Sequence, residues 1–191
     1  MQGLKKEVNS WSNFTIMAKA SMYAYKDLNS FQKEFDPEAV LFDKDGTQVY
    51  CWLDNNIACV AFRGTEPTQW SDIKADLKIR KVKCPTGFVH RGFRDALNEV
   101  WDDVSKWLTA QKKEDVFFTG HSLGGAISDH LAASHPTYKG VFRLYGAPRM
   151  TWREKDERVH SYRHFGDPVS VLDRAAQSTF YWGNPHSTHG F

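Results

Sequence analysis

Val116-Phe117-Phe118-Thr119-Gly120-His121-Ser122-Leu123-Gly124-Gly125-Ala126 is an apolar run that breaks into a glycine-flanked serine and resumes as small and apolar residues. Three consecutive large apolar side chains suit a buried strand, and Ala126 to Ala133 reads as helix. A G-x-S-x-G at a strand-to-helix turn is a nucleophile elbow. Its glycines permit a tight turn and a close backbone approach, and the serine hydroxyl projects beyond the sheet edge. The plainer reading, an ordinary serine in a glycine-rich connection, is weakened by the strand before the motif and by Gly125-Ala126 after it. Ser122 is therefore the first candidate catalytic residue.

Working outward, Trp11 to Lys26 spaces Phe14, Met17, Ala18 and Met22 at helical intervals, which predicts an amphipathic helix. Val49 to Leu53 and Ile57 to Phe62 read as a strand hairpin around Asp54-Asn55-Asn56. Pro67 to Lys83 is mixed, a short helix followed by alternation through Leu77, Ile79 and Val82. From Phe93 to Gln111 the apolar residues Ala96, Leu97, Val100, Val104 and Leu108 keep helical period. The helix after Ser122 stops at His135-Pro136. Val141 to Tyr145 and Val159 to Phe165 are further strands, separated by the turn-rich Gly146-Ala147-Pro148. Strands alternating with helices indicate an open α/β sheet with helices on its faces. With no repeat, low-complexity tract or linker, residues 1–191 are expected to form one domain.

Composition narrows the function. A net charge of +2 lacks the basic excess of a dedicated nucleic-acid binder, so no nucleic-acid partner is expected. No apolar stretch approaches the roughly 18 residues of a membrane-spanning helix. The stretch Met1-Gln2-Gly3-Leu4-Lys5-Lys6-Glu7 is not followed by the apolar core of a secretory signal, so a cytoplasmic location is the default expectation. Cys51, Cys59 and Cys84 have no zinc-like spacing. With a three-residue hairpin loop, Cys51 and Cys59 would face each other, so a cross-strand disulfide stands beside the favoured reading of buried reduced thiols.

A serine hydroxyl is a weak nucleophile until a base takes its proton, and that base needs an orienting acid. With this elbow the chain order is serine, acid, histidine. Among the downstream aspartates, Asp129 lies two turns along the elbow's own helix, and Asp156 sits in the run Arg153-Glu154-Lys155-Asp156-Glu157-Arg158, read as a solvated loop. Asp167 stands just past a strand at Gly166-Asp167-Pro168, where ligands bind in open α/β sheets; Asp173 is the weaker alternative. The histidines beyond Asp167 are His186 and His189, and the residues alone leave both open as the base. His121, His130, His135, His160 and His164 read as packing or surface residues, and no metal site is expected from them. The oxyanion formed on attack needs backbone N–H donors. Leu123, next after the nucleophile, supplies one, and Phe62-Arg63-Gly64-Thr65 fits the loop that supplies the other.

Several separated stretches together resemble the class 3 (fungal-type triacylglycerol) lipase family. They are Phe62-Arg63-Gly64-Thr65, Ala75-Asp76-Leu77, Val89-His90-Arg91-Gly92-Phe93 with Ala96, Gly120 to Ala126, Tyr145-Gly146-Ala147-Pro148-Arg149 and Gly166-Asp167-Pro168-Val169. The resemblance runs in the family's order from about residue 45 to 170. It implies an α/β-hydrolase fold with a mostly parallel central sheet and helices on both faces, and a triad of Ser122, Asp167 and a late histidine. It also implies oxyanion donors at Thr65 and Leu123. The family's base is often followed three residues later by an aromatic; His189 stands at that position after His186, which makes His186 the expected base. The chain departs from the family in a short acid-to-base segment, Pro168 to Pro185, and in Ser170 where a proline is usual.

The resemblance further implies hydrolysis of carboxylic esters of acyl lipids, with an acyl ester or phospholipid as substrate and no cofactor. A phospholipase or lysophospholipase, or a catalytically silent lipid- or protein-binding module, are the alternatives. Glu66 to Lys74 corresponds to a lid with Trp70 near its centre. Lys78, Arg80, Lys81 and Lys83 form a basic strip that suits transient contact with an anionic membrane surface, or is an ordinary solvated edge.

Overall fold

The computed structural model describes residues 11–64, 81–148, 150–164 and 178–181. Its helices are α1 (Trp11–Tyr23), α2 (Leu28–Glu34), α3 (Arg91–Gln111) and α4 (Leu123–Ser134). Its strands are β1 (Val40–Lys44), β2 (Thr47–Asp54), β3 (Ile57–Phe62), β4 (Lys81–Cys84), β5 (Gly87–His90), β6 (Val116–His121), β7 (Val141–Tyr145), β8 (Thr151–Arg153), β9 (Val159–His164) and β10 (Ser178–Tyr181). Seven strands form the main sheet in the order β1-β2-β3-β6-β7-β9-β10, and β4-β5-β8 form a small second sheet. From β3 to β10 every neighbouring pair is parallel, while β1 and β2 close one side as antiparallel hairpins. The expected mostly parallel α/β sheet is the observed one.

The burial of both faces follows from strand alternation. Along β3, Ala58, Val60 and Phe62 join Val116 and Phe118 of β6 in one core. Against that face lie α3, through Phe93, Leu97, Val100, Val104 and Leu108, and α4, through Leu123, Ala126, Ile127 and Leu131. The intervening Ile57, Cys59 and Ala61, with Tyr50, Trp52 and Phe117, pack on the other face against Met17 and Ala20 of α1 and Phe31 of α2. Helices thus cover both faces, and of the apolar residues that set the sequence period of α3, Phe93, Leu97, Val100, Val104 and Leu108 are buried while Ala96 is half-buried.

Two hairpin turns owe their shape to residues that tolerate positive φ. Asp45 and Gly46 (47° and 83°) join β1 to β2, and Asn55 and Asn56 (47° and 69°) join β2 to β3, the paired left-handed geometry of a two-residue hairpin. The second turn corrects the expected three-residue loop, since Asp54 pairs with Ile57. In that register Cys51 opposes Val60 and Cys59 opposes Trp52, so the two sulfurs lie on opposite faces of the sheet. Both are buried free thiols, and the cross-strand disulfide is ruled out by alternation. Burial pushes both thiol pKa values up.

The charged run that starts at the end of β8 is only in part a solvated loop: Glu154, Lys155 and Glu157 are exposed, while Arg153, Asp156 and Arg158 are held in place. Arg153, its side chain 5% exposed, pairs with Asp129 of α4 at 2.7 Å and with Asp156 at 3.0 Å. Arg158 pairs with Asp156 and donates to the carbonyls of Ala132, His135 and Tyr138. These charges tie the small sheet and the chain before β9 to the far end of α4. Arg158 also satisfies carbonyls around the helix C-terminus, where cations are favoured.

His130, on the buried side of α4, hydrogen-bonds Ser134 through Nε2 at 3.1 Å. Burial, reinforced by the Arg94 charge, pushes its pKa down to about 4, and burial also lowers His90, His135 and His160. An unfolded imidazole takes its proton near 6.5. The stability carried by neutral His130 is therefore complete above that pH and is lost as pH falls towards 4, by on the order of 3 kcal/mol. Urea unfolding at neutral pH and at about pH 4.5 should show the loss, and His130→Gln should lose less than the parent over the same interval.

Candidate active site

The backbone at Ser122 is the distinctive geometry of the molecule. Between β6 and α4 it adopts φ 55° and ψ −125°, a conformation costly for a residue with a Cβ and held only where its surroundings enforce it. The Ser122 N–H donates to the Tyr145 carbonyl at the end of β7 (3.0 Å), and its own carbonyl accepts the first helical bond from Ala126 (3.2 Å). The side chain is buried, and its Oγ has no hydrogen-bond partner among the described residues.

The glycines make this turn possible by contact rather than by freedom alone. A Cβ on Gly120 would strike the backbone of Gly124 and Gly125, and one on Gly124 would overlap the Phe62 carbonyl and stand 2.8 Å from the Arg63 carbonyl carbon. The elbow is thus pressed against the segment that follows β3. Gly64 is pressed back in return, since a Cβ there would lie 2.6 Å from the His121 carbonyl oxygen and overlap the Tyr25 hydroxyl. Arg63 fixes the same segment from the other side, its N–H donating to the Gln48 carbonyl at 3.0 Å and its guanidinium to the Gln48 side chain at 2.5 Å.

Leu123 opens α4, so its N–H is one of the first-turn donors without an intrahelical acceptor, at the positive end of the helix dipole. That N–H is a suitable donor to an oxyanion at Ser122. The structure therefore brings together Ser122, Leu123, Arg63 and Gly64. Thr65, Asp167, His186 and the alternative His189 lie outside the described residues, as do Asp173, the stretch Glu66 to Lys74 with Trp70, Lys78 and Arg80.

The other histidines take structural positions. His90 caps α3, its Nδ1 accepting from the Gly92 N–H at 3.2 Å. His121 Nδ1 lies 3.0 Å from the Tyr25 hydroxyl, and His135 stacks at a tilt on Trp101. Among the described residues no cluster of three or more histidines, cysteines or carboxylates can hold a metal ion, and no helix is long and apolar enough to cross a membrane. Sequence reasoning missed Tyr25, which touches both sides of the elbow contact. Its signal, a tyrosine just past an amphipathic helix, is common and unspecific.

Comparison with known proteins adds to this geometry. A model of the family described as Lipase (class 3) matches residues 59–168. The toxin TseL of Vibrio cholerae serotype O1 is 27% identical over 209 residues, covering 84% of this chain and 32% of that protein. The chain spans about a third of that curated relative's length. The Lip2 lipase of Yarrowia lipolytica superposes with a TM-score of 0.68 at 16% identity, over 94% of this chain and 80% of that one. The triacylglyceride lipase of Rhizomucor miehei does so with 0.65 at 20% identity, over 95% and 82%. At these identities the two structures attest the fold.

Replacing Gly124 by alanine drives a methyl group into the Phe62 carbonyl. Because the obstacle is backbone at the end of β3 rather than a movable side chain, the variant should unfold at a temperature lowered by about 6 to 12 °C, for a cost of roughly 3 kcal/mol, as read by differential scanning calorimetry.

Proposed function

The chain belongs to the class 3 lipase family, and on that premise we propose that it hydrolyses carboxylic esters of acyl lipids through an acyl-enzyme on Ser122. In this reading Ser122 attacks the ester carbonyl carbon while His186 accepts its proton and Asp167 stabilises the resulting imidazolium. The oxygen of the tetrahedral intermediate is held by the N–H groups of Leu123 and Thr65. His186 then returns the proton to the departing alcohol, and water, activated by the same imidazole, releases the fatty acid.

The observation that carries the reading is the shared edge of five parallel strands. In register, Phe62 ending β3 lies beside Gly120, and Tyr145 ending β7 beside His121. Tyr162 of β9 lies beside Tyr145, and Tyr181 ending β10 beside His164. Ser122 follows β6 at once, Thr65 follows Phe62 by three residues, Asp167 follows His164 by three and His186 follows Tyr181 by five. With strands about 4.8 Å apart, β9 lies two spacings and β10 three spacings from β6, roughly 10 and 14 Å. Three extended residues reach about 10 Å and five about 17 Å. Each proposed group is therefore within chain reach of the serine, and the strained conformation of Ser122 gives that edge its nucleophile.

A fluorophosphonate probe tests the reading directly. It should attach to Ser122, and Ser122→Ala should abolish both labelling and hydrolysis of a p-nitrophenyl acyl ester. Asp167→Asn and His186→Ala should each lower turnover about 10⁴-fold, with His189→Ala within about twofold of the parent. An unlabelled Ser122 in the folded chain would favour a silent binding module instead.

One comparison favours a second reading within this chemistry. The Vibrio cholerae relative is a toxin, which supports membrane phospholipid as the substrate and damage to a target cell as its outcome. Exposed Lys81 and Lys83 flank that reading, since cations near an anionic bilayer gain about 1 kcal/mol each. Expressed in a host cell, the chain should arrest growth and release fatty acid from phospholipid, and Ser122→Ala should do neither. Activity confined to triacylglycerol emulsions, with normal growth, would reject it.

A further inference from the structure

Tyr25 lies in the short connection between α1 and α2, ahead of the stretch matched by the family model. Its place is fixed on both sides. Its N–H donates to the Met22 carbonyl (3.3 Å), and the next carbonyl, that of Lys26, accepts from the Tyr50 hydroxyl of β2 at 2.7 Å. Asp27 then caps α2, its carboxylate accepting from the Ser30 N–H at 2.9 Å. Position 25 is thus anchored to the sheet before its side chain makes any contact.

That side chain reaches the seam between the elbow and the segment after β3. Its hydroxyl is 3.0 Å from Nδ1 of His121, the residue before the nucleophile, and the two rings meet edge to face at 5.8 Å. The same hydroxyl abuts Gly64, occupying the space a Cβ there would take. The Arg63 guanidinium lies 5.8 Å from the centre of the tyrosine ring. One phenol therefore touches the residue preceding Ser122 and the residue preceding Thr65.

We propose that Tyr25 is a positioning residue that sets the separation of the two oxyanion donors, holding the Gly64 segment against the elbow through His121. The assignment rests on the acyl-enzyme reading above. It touches no reacting atom. Its effect falls on the transition state, because donors aimed at a developing oxyanion lose effect when their spacing relaxes, and loss of a whole donor costs about 10² to 10³ in turnover. A residue acting through that spacing should cost less, about tenfold to a hundredfold.

Tyr25→Phe keeps the ring and removes the hydroxyl. With a soluble p-nitrophenyl ester, kcat should fall by about tenfold to a hundredfold while KM stays within about twofold. The inhibition constant of a boronic acid, which forms a tetrahedral adduct on the serine, should rise by the same factor as kcat/KM falls. The melting temperature should move little. His121→Phe removes the same hydrogen bond from its other end, and the losses in the double variant should be far from additive. Should Tyr25→Phe lose its thermal transition, His121→Phe carries the test alone. A Tyr25→Phe enzyme with parental kcat, or with lowered kcat but an unchanged boronate constant, overturns the assignment. A parent chain that neither hydrolyses the ester nor binds the boronate fails the underlying reading, a distinct result.

Discussion

The carbonyl oxygen of Phe62 occupies the space that a side chain on residue 124 would need, and the carbonyl of His121 crowds the corresponding space at residue 64. This reciprocal contact, backbone against backbone across two parallel strands, is the constraint from which the site follows. Parallel pairing of β3 with β6 brings Phe62 level with Gly120, so the segments leaving the two strands must either diverge or interlock. Glycines on both sides let them interlock. The left-handed serine between them is sustained by its N–H bond to Tyr145 and by the start of α4, which return part of the cost of its dihedral angles.

The layers around this seam share the work unequally. On one face α3 and α4 supply a broad apolar core. On the other, α1 and α2 bring aromatic rings, among them Phe31 stacked on Tyr50 and set edge-on to Trp52. The polar anchors of that second layer lie towards the Ser122 end of the sheet: Thr119 donates to the Met17 and Arg143 carbonyls, and Tyr145 donates to the Phe14 carbonyl at 2.8 Å. The N-terminal layer thereby registers itself on β6 and β7, the strands that deliver and brace Ser122.

The sequence shows most plainly those parts whose signal is local. The turn from apolar run to Gly-x-Ser-x-Gly to small helix formers announces β6, the elbow and α4, and the 3.6-residue spacing from Phe93 to Leu108 announces α3. The hairpin β2-β3 is legible for the same reason, although only its register shows which faces Cys51 and Cys59 occupy. Asp45-Gly46, lying between the apolar runs Val40 to Phe42 and Val49 to Leu53, carries a turn signal for the β1-β2 hairpin. α2 was missed because it is 7 residues long with Phe31 its one buried residue, too short for a period. β8, 3 residues long, exists through its pairing with β5. The charged run Arg153 to Arg158 misleads because its partners, Asp129 and the carbonyls closing α4, are distant in sequence. Tyr25 and His121 stand 96 residues apart, a separation at which a sequence carries no pairwise signal.

The opposed placement of Cys51 and Cys59 has a consequence for where such a fold can work. Their sulfurs are separated by the thickness of the sheet, and burial disfavours both thiolates, the form that attacks a disulfide. This hairpin consequently neither gains a cross-link in an oxidising medium nor loses one in a reducing medium. Its cohesion comes from packing on two faces, so as far as these two thiols are concerned the fold is indifferent to redox poise and can keep its shape on either side of a membrane.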